Sequence, residues 1–416
     1  MIADSAKSAA IDPADERPVP AAGGIGGTAR ALIERLRGGD LGSIPVAIGL
    51  LVIWAVFQLL NPNFLSSTNL VNLSMQSAAV GTIAIGIVLV LLLGEIDLSV
   101  GSVSGLSAAI LAVGYVQLGL PLPIVLVASL VTGALIGLAF GLLRTRFGVP
   151  SFLITLAGLL SVLGLQLYVL GKTGSINIPF DSWIVQLGQQ WFLPPWTSYS
   201  LVGVAVGVFG GTQYVQSARR KQAGLPATSV SLIVFRAAAL LALLGVSTWY
   251  LNLTRGVGVM FALFLLLAVL THYALTRTGW GRAVYAVGGN VEAARRAGIR
   301  VNRVYISVFM LCSMFAALGG ILAAARLAAA NQGSGGADTN LNAIAAAVIG
   351  GTSLFGGRGS AFSAVLGILV IMSITSGLTL INPDSSIRYI ITGVVLMLAV
   401  VIDSLARRSR AAAGRA

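Results

Sequence analysis

Two short stretches hold most of the polar side chains that could do chemistry in an otherwise apolar chain. In the first, Glu95 and Asp97 precede Ser99 and Ser102 within GEIDLSVGS. Clustered carboxylates and hydroxyls can exchange hydrogen bonds with a polyhydroxylated solute at a pathway or gate. A second reading has Asp97 cap a helix beginning at Leu98, with Glu95 in the headgroup region. In the second stretch, Thr352 and Ser353 offer hydroxyls beside Gly350, Gly351, Gly356, Gly357 and Gly359, a run too glycine-rich for a regular helix. Irregular backbone at membrane depth is tolerated only where it is buried or lines a cavity. A third segment, 276–303, is polar and basic. Asn290 can cap a helix over 291–297, Glu292 falls in its first turn, and Gly298 can close it in a left-handed conformation. Ala293, Ala294 and Ala297 would give that helix a flat face, and Arg295 and Arg296 would give it charge.

Covalent chemistry finds little to work with. His272 is the single histidine, and no G-x-S-x-G elbow is present to build a Ser-His-Asp arrangement around it. Cys312 is the single cysteine, which excludes an intramolecular disulfide and a cysteine-based zinc cluster. Gly171-Lys172-Thr173 resembles the end of a phosphate loop, but Gln166 stands where that motif needs glycine. Any ATP and Mg²⁺ used with this chain would bind to another subunit. The apolar segments lack a central carboxylate, which argues against a proton-driven transporter working alone and less strongly against a sodium-driven one.

The elements that must position these residues are membrane helices. Of 416 residues, 56% are hydrophobic and 9% are Asp, Glu, Lys or Arg, against about 25% charged in ordinary soluble domains. Apolar runs at about 44–60, 77–94, 98–118, 121–143, 152–170, 200–216, 232–251, 257–275, 304–325, 341–357, 361–381 and 387–402 predict an all-α polytopic membrane protein of about twelve spans. The runs at 200–216 and 341–357 are the shortest and richest in glycine, so some segments are expected to be broken or re-entrant. Placing both termini in the cytoplasm puts 22 basic residues inside and four outside, as the positive-inside rule requires. The net charge of +13 therefore reflects topology rather than nucleic-acid binding.

Residues 1–43 read as a cytoplasmic extension, disordered to about Thr28, with a short amphipathic helix over 29–38. Residues 44–403 form the transmembrane domain, and 404–416 form a basic cytoplasmic tail. Glycines repeat every fourth position at Gly133, Gly137 and Gly141 and again at Gly203, Gly207 and Gly211, a spacing that lets helix backbones approach closely. In the outer loop 171–199, Trp183, Trp191, Phe192 and Trp196 predict either an interfacial aromatic belt or a landing surface for a soluble protein. The stretches 94–108 and 350–364 share Leu, Gly, Ser and Ala positions, too few by themselves to establish an internal duplication.

Glu292-Ala293-Ala294 with Gly298 resembles the E-A-A-x-x-x-G loop of ABC importer permeases, though the I-x-L-P that follows in the larger pattern is missing here. Gly94–Ser102 resembles the G-x-I-D-L-S-V-G-S signature of monosaccharide ABC permeases of the ribose/xylose type. Val149–Phe152 with Thr155–Gly158, Ala286–Asn290 and Val348–Leu354 resemble the same family. The likeness runs from about residue 50 to 403. The extra helix pair around 200–251, its Arg/Lys-rich linker, and Glu95 before I-D-L-S resemble the D-xylose branch. The resemblance implies a non-enzymatic permease subunit in a bacterial inner membrane. It further implies a homodimer that takes up a monosaccharide, with cytoplasmic ATPase subunits docked at Asn290, Glu292, Ala293, Ala294, Arg295 and Gly298. An extracytoplasmic sugar-binding protein would complete the system.

Overall fold

The computed structural model describes residues 44–382 and isolated positions between 384 and 397. The segments 1–43, 387–402 (all but a few positions) and 404–416 lie outside the described residues. The described chain is helical almost throughout, and its residues 44–382 fall in two compact units: 44–195 with 249–382, and 196–248.

In the larger unit, α1 (Ile44–Leu60) leads to α2 (Ser67–Leu92), α3 (Val100–Ala112), α4 (Leu122–Phe147) and α5 (Ser151–Leu170). A strand β1 (Ser175–Asn177) and a short α6 (Trp183–Gln189) follow. The helical pair α7 (Pro195–Gln222) and α8 (Val230–Leu251) makes up the smaller unit. The larger unit resumes with α9 (Val259–Arg277), α10 (Gly279–Gly289), α11 (Val291–Arg296), α12 (Val301–Leu327), β2 (Ala329–Asn331), α13 (Ala337–Ile349) and α14 (Ala361–Ile381). β1 and β2 pair antiparallel, Ile176 opposite Ala330.

Eight helices among the described residues are long and apolar enough to cross a bilayer: α2, α3 with its π-helical extension to Gln117, α4, α5, α8, α9, α12 and α14. The protein is therefore a polytopic helical membrane protein. α2 begins ten residues before the run expected at 77–94, because its polar first turns are satisfied internally. Ser66 accepts from Asn69 N, Asn69 Nδ2 donates to Phe64 O at 2.7 Å, and Ser74 and Ser77 donate back to the helix's own carbonyls. At the run 341–357 the helix is shifted and shorter, Ala337–Ile349. α13 has 13 residues, about 20 Å at 1.5 Å per residue, short of the ~30 Å hydrocarbon core. Glycines then end it.

α2 and α12 form the centre. α2 is buried along most of its length, and α12 packs against α4 at the first glycine series. A Cβ at Gly137 would lie 2.7 Å from Met310 Cα, and one at Gly133 would lie 2.7 Å from Ser313 O. By contrast, Gly203, Gly207 and Gly211 on α7 have nothing within 4 Å. α1, α4, α5 and α8 expose large apolar side chains such as Leu59, Ile124, Leu160 and Leu243. Lipid makes such a surface stable, because between helices in a bilayer the gain comes from close packing rather than from escape from water.

Candidate functional site

The chain between α2 and α3 is unwound. α2 stops at Leu92, Gly94 takes φ +74°, and the backbone continues without regular structure to Ser99, the N-cap of α3. Unpaired backbone groups in a bilayer cost several kcal/mol each, and here three side chains from two helices, α5 and α13, supply partners. Ile96 N donates to Ser151 Oγ (3.3 Å), Leu98 N to Thr155 Oγ1 (3.1 Å), and Asn340 Nδ2 donates to Leu98 O (2.8 Å).

The four candidates in this stretch part company. Glu95 turns to α4, where its Oε1 receives Arg144 Nε at 2.9 Å and a second Arg144 nitrogen at 2.8 Å. The Arg144 guanidinium also lies over the Tyr305 ring, 5.2 Å from its centre. Asp97 turns inward and is 1% exposed. Its Oδ1 accepts from Ser99 N (2.8 Å) and Ser99 Oγ (2.6 Å), while Oδ2 has no hydrogen-bond partner. It does not cap a helix starting at Leu98: α3 starts at Val100, and Asp97 instead organises the turn before it. It lies beside the Cys312 thiol, the twelfth residue of the 27-residue α12. A carboxyl group therefore does sit at mid-helix depth, where the apolar pattern pointed to none. Ser99 and Ser102 are buried alongside it.

The second interruption runs from Gly350 to Ser360, with positive φ at Gly351, Gly356, Gly357 and Gly359. Thr352 is fully buried with Oγ1 unpartnered; Ser353 N donates to Arg358 O (2.9 Å), and Ser353 Oγ accepts from Phe355 N (3.2 Å). The two interruptions touch: Gly357 N donates to Leu92 O at 2.9 Å. α10 reaches the same point, where Tyr285 OH donates to Gly359 O at 2.8 Å. Burial holds the Tyr285 phenol above its ordinary value, so it is a donor at neutral pH. From α9, His272 Nδ1 lies 3.3 Å from Ser360 Oγ.

α10 runs directly into the short helix expected at 291–297, which spans Val291–Arg296. Asn290 Oδ1 accepts from Ala293 N at 2.9 Å, and Gly298 closes the helix at φ +81°. Glu292 pairs with Arg295 at 3.0 Å on an open surface; such pairs contribute about 0.2–1 kcal/mol. Ala293 and Ala297 are exposed, but Ala294 is buried in the main core and is not part of the free face. Beside the helix is a cavity of about 340 Å³ lined by Arg295, Arg300, Val301, Asn302 and Arg303. Among the described residues Arg300 and Arg303 form no ion pair.

Two buried amides escaped the sequence reading. Gln166, fully buried in α5, donates through Nε2 to Asn331 O (3.2 Å) and Ser334 O (3.0 Å), leaving Oε1 unpartnered. Asn340 has the same unpartnered oxygen. Gln166 announced itself only as a lone amide inside an apolar run. Asn340 lay at the edge of a segment expected to span.

A family described as "Branched-chain amino acid transport system / permease component" matches residues 69–400. The xylose transport system permease protein XylH of Escherichia coli K12 is 37% identical over 83% of this chain and 87% of its own length. XylH of Haemophilus influenzae is 35% identical over 86% and 94%. The ribose import permease protein RbsC of Escherichia coli K12 is 32% identical over 86% and 92%. No solved structure matches the chain. With a buried, irregular membrane interior, a capped helix on a basic loop and this match across most of its length, the chain belongs to that family of transport-system permease components.

Proposed function

We propose that this chain is the membrane-spanning subunit of an ATP-driven ABC importer for a monosaccharide, D-xylose in the first place and ribose as the alternative. The observation that carries the reading is α11, a capped, exposed helix joined to two spans by an arginine-rich loop. It is a docking element for an ATPase subunit, which holds the ATP and Mg²⁺. Asn290, Glu292, Ala293, Arg295 and Gly298 shape its contact surface, while Ala294 anchors it to the core. Similarity to xylose permeases at 35–37% identity, against 32% for the ribose permease, favours the pentose named first.

Two copies form the pathway in a bacterial inner membrane, and an extracytoplasmic binding protein delivers the sugar. The complete chain has about twelve spans with both termini in the cytoplasm, an orientation supported by the 22-to-4 division of basic residues. Glu95, Asp97, Ser99, Ser102, Thr352 and Ser353 belong to the inner part of the pathway. Asp97, Ser99, Ser102 and Thr352 are buried, and Glu95 pairs with Arg144. Opening is a rearrangement of packed elements that exposes a pathway between the two copies to alternate sides of the membrane.

The test is reconstitution of the permease with its ATPase in liposomes. Binding protein loaded with D-xylose should stimulate ATP hydrolysis more than binding protein loaded with D-ribose, and uptake should require ATP. Sugar uptake driven by an ion gradient with no ATPase present would refute the reading.

A further inference from the structure

We propose that the 352–360 loop is the relay through which the docking helix acts on the membrane interior, with Tyr285, Gly288, Gly356 and Gly357 as its positioning residues. The inference rests on the docking role of α11 and names the path that follows from it. Three backbones converge at one point. A Cβ on Gly288 would overlap Leu92 O and come within 2.8 Å of Gly357 N. One on Gly356 would lie 2.6 Å from Gly288 O and 2.9 Å from Gly94 N, and one on Gly94 would lie 3.2 Å from Phe355 O. Gly94, Gly356 and Gly357 have φ of +74°, +86° and +72°, which side-chain-bearing residues adopt only with strain.

The contact is bonded as well as close. Tyr285 OH holds Gly359 O, and Gly357 N holds Leu92 O. Gly288 and Gly289 end α10, and α11 begins two residues later. Little chain is left between them to absorb a displacement of α11 before it reaches the loop. From the loop it passes in two directions: to Leu92 and Gly94, where the segment carrying Asp97 begins, and to Ser360, where α14 begins. Both interruptions of the bundle are thereby moved by one input, with no hinge in a membrane span. Packed elements in direct backbone contact transmit small shifts because they rearrange between discrete arrangements rather than deform continuously.

The experiment uses the full permease with its ATPase and binding protein in liposomes, and measures sugar imported per ATP hydrolysed. Tyr285→Phe removes one hydrogen bond and keeps the ring. It should retain the ATPase and hydrolyse ATP at close to the normal rate, while import per ATP falls about fivefold or more. Gly356→Ala, which places a methyl group against Gly288 O, should show the same uncoupling more severely. A second readout is thiol modification of Phe355→Cys, 64% exposed in the loop. Its rate should change between ATP-bound and nucleotide-free complexes, and the change should disappear when Tyr285→Phe is added. An unchanged import-to-ATP ratio in Tyr285→Phe, or import and hydrolysis falling together, would overturn the relay. Failure of the unsubstituted chain to bind an ATPase would overturn the importer reading itself.

Discussion

Removing the charge of Glu95 tests whether the carboxylate is a strut between helices or a contact for the transported sugar. Both close nitrogens of Arg144 converge on one Glu95 oxygen, at 2.8 and 2.9 Å, with the two side chains 11% and 29% exposed. Breaking a buried ion pair costs about 3–5 kcal/mol, and an exposed one contributes about 0.2–1 kcal/mol. Glu95 is nearly enclosed while Arg144 keeps access to water, so the coupling energy belongs between these limits, at about 1–2 kcal/mol. Glu95→Gln should lower stability by that amount. It leaves the Tyr305 ring in place, and the arginine–ring attraction of about 0.5–2 kcal/mol survives it. The assay is equilibrium unfolding in mixed micelles of the unsubstituted chain, Glu95→Gln, Arg144→Gln and the double variant, giving the coupling from the cycle. The double variant should be little worse than either single one. A coupling below about 0.3 kcal/mol, within the usual error of additivity, combined with an altered sugar preference in Glu95→Gln, would refute the strut and make Glu95 a direct contact for the transported sugar.

Asn290→Ala removes the acceptor for Ala293 N and should cost α11 about 1 kcal/mol; weaker co-purification of the ATPase with normal membrane insertion is the expected outcome. Arg300→Glu with Arg303→Glu reverses the charge of the cavity beside α11. It should weaken ATPase association and flatten its salt dependence, measured by pull-down over a range of ionic strength. Gly137→Leu would drive a side chain into Met310 on α12 and should abolish folded protein on size-exclusion chromatography. Gly207→Leu, with nothing within 4 Å in a single chain, should leave the folded monomer intact.

Much of the fold could be read directly from residue order. The boundaries of α1, α5 and α14 coincide with their apolar runs to within a residue, because an unbroken apolar run stands out by hydropathy whether it faces lipid or protein. α11 was equally legible, since Asn290, Glu292 and Gly298 are local signals that act within one or two turns. The bounds of α13 were not legible: its alanine run reads as 341–357, whereas the helix begins at Ala337 and glycines end it at Ile349. The first turns of α2 were missed because Asn69, Ser74 and Ser77 count as polar in a hydropathy window, yet each finds its partner inside the bundle.

Residue order by itself determined that this chain is a polytopic helical membrane protein and where a short capped helix forms between two of its long apolar helices. Those properties follow from transfer of individual side chains and from bonds between near neighbours in sequence. Tertiary structure alone decided that Glu95 joins Arg144, that Asp97 is enclosed beside Cys312, and that Gly94, Gly288 and Gly356 meet at one point. These partners are separated by 49 to 262 residues. No local preference specifies such distant pairs; they are selected by which helix faces pack, and by the need to satisfy every unwound backbone group where water is absent.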